Sequence, residues 1–86
     1  MAKIKSSTVA GKKYAVEIEG KIINFGAAGY RIKPGTVAGD AYCARSAGIK
    51  GANDQTTPNY WARQLWSCEG KKSVSKKPFF GKYDLP

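Results

Sequence analysis

Two four-residue segments, Tyr42-Cys43-Ala44-Arg45 and Tyr60-Trp61-Ala62-Arg63, each set a phenol ring and a guanidinium three residues apart. On a helix that spacing puts both groups on one face. A ring beside a guanidinium can stack on a nucleobase or fork onto phosphate oxygens. Arg31 and Lys33, two residues apart, share a strand face by period-two alternation. Lys71, Lys72, Lys76 and Lys77 form a basic tract suited to neutralising phosphates. These side chains are the candidate nucleic-acid contacts. The competing reading of each arginine is a surface ion pair, for instance with Asp40 or Asp54, worth roughly 0–1 kcal/mol. For Tyr42 and Tyr60 it is a half-buried ring whose hydroxyl reaches solvent. For the lysines it is a solvated surface that keeps the chain in solution.

Catalysis has little to work with. The chain has no histidine, so the usual base near neutral pH is missing. It has no Gly-x-Ser-x-Gly elbow and no Cys-His pairing. Ala10-Gly11-Lys12-Lys13 lacks the first glycine and the Ser/Thr of a phosphate loop. The one enzymatic hint is Glu17-x-Glu19-Gly20-Lys21, since carboxylates beside a lysine can hold a metal ion in nucleases. Its simpler reading is the solvent face of a hairpin. Cys43 and Cys68 cannot build a zinc site alone, and without histidine its further ligands would have to be carboxylates. They read as small reduced core residues rather than a bridge, with their pairing left open. A non-enzymatic protein with no catalytic residue, metal or cofactor is expected.

The elements that must position these groups follow from periodicity. Tyr14, Val16 and Ile18 alternate with Ala15, Glu17 and Glu19, which predicts a half-buried strand. Glu19-Gly20 offers a tight turn into Lys21-Ile22-Ile23-Asn24-Phe25, so the two segments make an antiparallel hairpin. Gly26-Ala27-Ala28-Gly29 breaks it. Tyr30-Arg31-Ile32-Lys33 resumes alternation as a third strand, and Pro34-Gly35 suits a type II turn. Residues 40–47 predict a short helix of about two turns, with Asp40 as cap or first-turn carboxylate and Gly48 as terminator.

A second, longer helix starts at Thr57 as cap, with Pro58 in its first turn, and runs to Cys68 before Glu69-Gly70 ends it. At 100° per residue Trp61, Ala62, Leu65, Trp66 and Cys68 form its apolar sector, with Tyr60, Arg63, Gln64 and Ser67 opposite. Residues 1–11 read as a loose basic arm or a brief edge strand. The basic tract after Gly70 is too poor in apolar residues to be core, and Pro78-Phe79-Phe80-Gly81-Lys82-Tyr83 brings the tail back onto the body.

The chain of 86 residues has Lys+Arg 15 against Asp+Glu 6, a formal charge of +9, which favours polyanionic partners. A chain this short buries only about 60–65% of its unfolded surface, so a few aromatic residues must dominate one small core. No apolar run approaches the roughly 18 residues of a membrane span, and the first residues lack the continuous apolar segment expected of a signal peptide. The expected setting is intracellular or within a particle, without a membrane partner.

Read together, Ile23-Asn24-Phe25-Gly26, Tyr30-Arg31-Ile32-Lys33-Pro34-Gly35-Thr36, Gly39-Asp40-Ala41-Tyr42-Cys43-Ala44-Arg45-Ser46 and Pro58-Asn59-Tyr60-Trp61-Ala62-Arg63-Gln64-Leu65-Trp66 show a recurring order. Over roughly residues 22–73 this order resembles short basic proteins of unassigned function from tailed bacteriophages and large DNA viruses. They share a Phe-Gly, a Tyr-x-x-Arg and a Trp-x-Arg segment. Many carry a histidine after the arginine, where this chain has Ser46, so histidine chemistry does not carry over. The resemblance implies a viral setting: in the host cytoplasm or in the virion, against packaged DNA or a host factor.

These readings combine into a small α+β protein. An antiparallel hairpin or three-stranded sheet packs on one short and one longer helix within residues 12–70, followed by a basic and then aromatic tail over 71–86. Val16, Ile18, Ile23, Phe25, Trp61, Leu65 and Trp66 form the expected centre. The expected function is polyanion binding, with nucleic acid, DNA or RNA, engaged without strong sequence preference. Two alternatives stay open: a capsid, portal or tail component meeting acidic surfaces and anchored on a neighbour by Phe79-Phe80, and an inhibitor of a host enzyme. The oligomeric state is left open.

Overall fold

A computed structural model describes residues 3–29, 32–83 and 85. It is an α+β protein. Strands β1 (Ile4–Ser6), β2 (Lys12–Ile18) and β3 (Lys21–Ala27) form an antiparallel sheet in the order β1-β2-β3. Helices α1 (Val37–Ala47) and α2 (Pro58–Leu65) follow, then a small antiparallel pair, β4 (Cys68–Glu69) and β5 (Lys72–Ser73), and a 3-10 turn at Pro78–Gly81.

The hairpin turns where its residues allow it. Glu19 and Gly20 both take positive φ, 51° and 79°, between the paired ends Ile18 and Lys21. A two-residue turn with two left-handed positions matches the twist of the flanking strands. The register then sets Ile4, Val16 and Ile23 side by side across the sheet, all buried. The third strand is therefore β1, which lies in the segment read as a loose arm or a brief edge strand and adds Ile4 to the sheet ahead of residue 12.

The third strand expected over residues 30–33 does not form at Ile32 and Lys33, and its first half, Tyr30 and Arg31, lies outside the described residues. Pro34 follows directly, lacking an N–H for a ladder and restricting the residue before it. Ile32 instead packs half-buried between the two apolar clusters of the fold.

Both helices start at their threonines. Thr36 accepts a hydrogen bond from the Gly39 amide and Thr57 from the Tyr60 amide, with Pro58 in the first turn of α2. Their lengths reverse the expectation, 11 residues for α1 and 8 for α2. α1 begins three residues before Asp40, which sits in its first turn and accepts from the Ser73 amide at 2.8 Å.

α2 stops at Leu65 because Ser67 takes a left-handed φ of 54°. That residue is fully buried. Its hydroxyl donates to Lys77 O and accepts from the Phe80 amide, so the helix end is tied to the C-terminal turn. Cys68 is thereby extended rather than helical.

The main cluster contains the expected Val16, Ile18, Ile23, Phe25, Trp61 and Leu65, together with Ile4 and Phe79. Phe25 is its hub, with ring centroids 6.0 Å from Phe79 and 6.2 Å from Trp61. Phe79 is fully buried, so the tail does close onto the body, and its ring is committed to this core rather than to a neighbour.

Trp66 sits in a second cluster with Cys43 and Cys68. Those cysteines form a disulfide, which corrects their reading as reduced thiols. The bridge joins α1 to β4.

The segment set apart as a basic tail is also part of the body. Ser73 Oγ donates to Trp66 O and accepts from the Gly35 amide. Gly39 of α1 passes so close that a Cβ there would lie 2.9 Å from Ser73 Cβ. Ala or larger at Gly39 would push the two segments apart.

Reduction of the bridge is expected to cost about 3 kcal/mol, since it closes a loop with a sequence separation of 25. For a domain of this size that lowers Tm by about 10–20 °C. Calorimetry with and without dithiothreitol measures it, and an unchanged Tm would show that the cysteines are unpaired in solution.

Candidate nucleic-acid interface

The two tyrosine–arginine pairs have the same local spacing but different fates. On α1, Tyr42 is half-buried and Arg45 exposed. On α2, Arg63 is only 8% exposed, against the expectation that it faces solvent. One of its terminal nitrogens donates to Cys43 O and Ser46 Oγ, each at 2.8 Å, and the other to Gly70 O at 2.7 Å. All three acceptors are neutral oxygens, so neither a solvent-facing contact nor an ion pair with Asp40 or Asp54 describes it.

Two of Arg63's acceptors lie in the C-terminal half of α1, where the helix dipole favours a cation. Asn59 adds a bond from Nδ2 to Ser46 O at 3.3 Å. Among the described residues, every buried side-chain nitrogen and oxygen has a partner. Arg63 is a structural clamp, and Tyr60, edge-on to Trp61 at 5.2 Å, packs against the main core.

Tyr42 and Arg45 instead line a cleft of about 430 Å³. The sheet contributes Lys12, Phe25 and Ala27, with Gly11 and Gly26 at positive φ; α2 contributes Pro58, Asn59 and Ala62. Ile32 and Trp66 complete it. The Tyr42 and Trp66 rings are stacked, centroids 5.0 Å apart and planes at 20°. Burial pushes the Tyr42 phenol pKa above its usual value, opposed by the charges of Arg63 and Arg45 and by a hydrogen bond with Ser46. Two cations, Lys12 and Arg45, line the cleft, and none of its lining residues is acidic.

The remaining candidates lie outside the cleft. Lys33, Lys71, Lys72, Lys76 and Lys77 are exposed, and Arg31 is outside the described residues. Lys76 packs its backbone against Gly35, which brings this tract close to the start of α1. Lys12, Asn59 and Trp66 were not singled out as site residues. The sequence carries no local signal for them, because only the crossing of α1, α2 and the hairpin brings them together.

Glu17 and Glu19 lie away from the cleft. They are exposed, and they share a second depression, of about 460 Å³, with Lys3, Lys5 and Gly20. Among the described residues, no three acidic, histidine or cysteine side chains cluster in a way that could hold a metal ion. Among them also, no helix is long and apolar enough to cross a membrane.

Arg63→Ala is expected to cost about 3 kcal/mol, because it removes charged hydrogen bonds at three buried or half-buried acceptors. Lysine at the same position recovers less than half of that, having no fork with which to span α1 and Gly70. Arg45→Ala should stay within about 0.5 kcal/mol of the parent. Urea denaturation of the three variants separates clamp from surface; equal losses at Arg63 and Arg45 would refute the assignment. Set against family models, curated proteins and solved structures, the chain matches none.

Proposed function

We propose that this protein is a non-enzymatic binder of polyanions that engages nucleic acid with little sequence preference. The observation that carries the reading is the cleft, where a stacked Tyr42–Trp66 wall meets Lys12 and Arg45 without a carboxylate among the lining residues. Aromatic walls are sequence-tolerant, because every base has a π-face. The formal charge of +9 and the exposed lysines around residues 71–77 supply the phosphate-neutralising field. A viral setting, drawn from the order of the Phe-Gly, Tyr-x-x-Arg and Trp-x-Arg segments, belongs to this proposal.

A second reading, a virion component, is favoured by one specific observation. The Cys43–Cys68 bridge suits oxidising surroundings, which include particle surfaces and exclude most of the reduced cytosol. The two readings are compatible in a basic particle protein that touches packaged nucleic acid. Its anchor would not be Phe79, which the core consumes.

With six or so basic groups on phosphates, affinity for duplex DNA should fall by roughly three powers of ten between 50 and 200 mM salt. Fluorescence anisotropy of a labelled oligonucleotide across that range tests the reading. A flat salt response would refute it.

A further inference from the structure

We propose that the cleft takes one unstacked nucleotide of a single strand, its base against the half-exposed Tyr42 ring, which the buried Trp66 backs, and its phosphate between Lys12 and Arg45. The inference rests on the polyanion-binding reading and names the form of nucleic acid that the cleft selects. A volume of about 430 Å³ lies within the range of small-molecule sites. It has room for one base and sugar. A duplex keeps its bases stacked inside and presents only phosphates, so it reaches the rim cations and not the wall. Single strands can turn a base outward onto an aromatic ring.

The polar chemistry of the wall also bears on which base is accepted. Asn59 donates from Nδ2 to Ser46 O at 3.3 Å, which turns that donor toward α1. The ring face of Tyr42 is then the larger recognition surface, and a flat aromatic face tolerates any base. Ala62 lines the cleft as a small, half-buried side chain, which makes it the place to fill the cleft without touching charge.

The experiment compares a labelled twelve-nucleotide thymidine strand with a duplex of equal length, in non-reducing buffer at moderate salt, while following tryptophan fluorescence. The single strand should bind about tenfold or more tightly than the duplex, given the usual worth of one base–aromatic stack. It should also quench the emission, since Trp66 is stacked on the Tyr42 ring that the base covers.

Ala62→Met should abolish the quench and the tenfold preference while leaving duplex binding unchanged, with circular dichroism and Tm showing that the variant is folded. Arg45→Ala, at an exposed position, should weaken both ligands. Salt-dependent binding that is equal for both strands, or unaltered by Ala62→Met, overturns the inference and leaves the polyanion reading in place. Absence of salt-dependent binding to either ligand overturns both.

Discussion

A guanidinium in the interior is costly unless each of its donors finds an acceptor, and the second half of this chain is arranged around meeting that demand for Arg63. One nitrogen reaches across to Cys43 O and Ser46 Oγ on α1, and the other to Gly70 O between β4 and β5. Neutral oxygens solvate the charge in place of water, and the C-terminal half of α1 adds its dipole. Three segments are thus fixed to one side chain, beside the small apolar cluster of Cys43, Trp66 and Cys68. The disulfide between Cys43 and Cys68 runs beside this clamp and joins the same helix to the same small sheet. Charge and covalent bond together reinforce the small hydrophobic interface that a chain of 86 residues can supply there.

The main core is held by aromatic packing, and there the backbone is what yields. Phe79 and Phe80 both take left-handed φ values, 55° and 57°, where bulky side chains are rare. The compensation is visible. Phe79 is fully buried, edge-on to Phe25 at 6.0 Å and to Tyr83 at 5.4 Å, and the Phe80 amide is held by Ser67 Oγ at 2.9 Å. Ser67 is itself left-handed. A glycine there would relieve the backbone but remove the hydroxyl that joins the end of α2 to the C-terminal turn, so the hydrogen bonds outweigh the conformational preference at this position.

Local rules made some of this legible and left the rest hidden. The hairpin, its Glu19-Gly20 turn, the threonine cap of α2 and most of the main cluster follow from alternation, turn chemistry and capping, each of which acts within a few residues. The third strand did not follow, because Ile4 and Ile32 both stand in short alternating stretches and only long-range pairing decides between them. The face assigned to Arg63 failed for a related reason. A helical wheel ranks side chains by polarity, and it has no means of anticipating that α1 would offer a carbonyl and a hydroxyl at hydrogen-bonding distance. The disulfide was hidden because pairing depends on two cysteines 25 residues apart meeting at a Cα separation of 5.4 Å. Ser67 ended α2 early through contacts with residues 77 and 80, which no window around the helix contains.

The same reasoning explains why identical Tyr-x-Ala-Arg spacing produced one structural pair and one solvent-facing pair. α2 lies against both the sheet and α1, so its Tyr60 meets the main core and its Arg63 is enclosed between elements. α1 is packed on one side only, by β4, β5 and α2, which leaves Arg45 at the surface and Tyr42 half-covered by Trp66. The cleft exists because the Arg63 clamp and the disulfide hold α1 against α2 and β4 while the glycine-bearing ends of β2 and β3 stop short of filling the space. Its wall is therefore preorganised: the Tyr42–Trp66 stack packs on Cys43 and Cys68, and the bridge that stabilises the fold also sets the position of the rings.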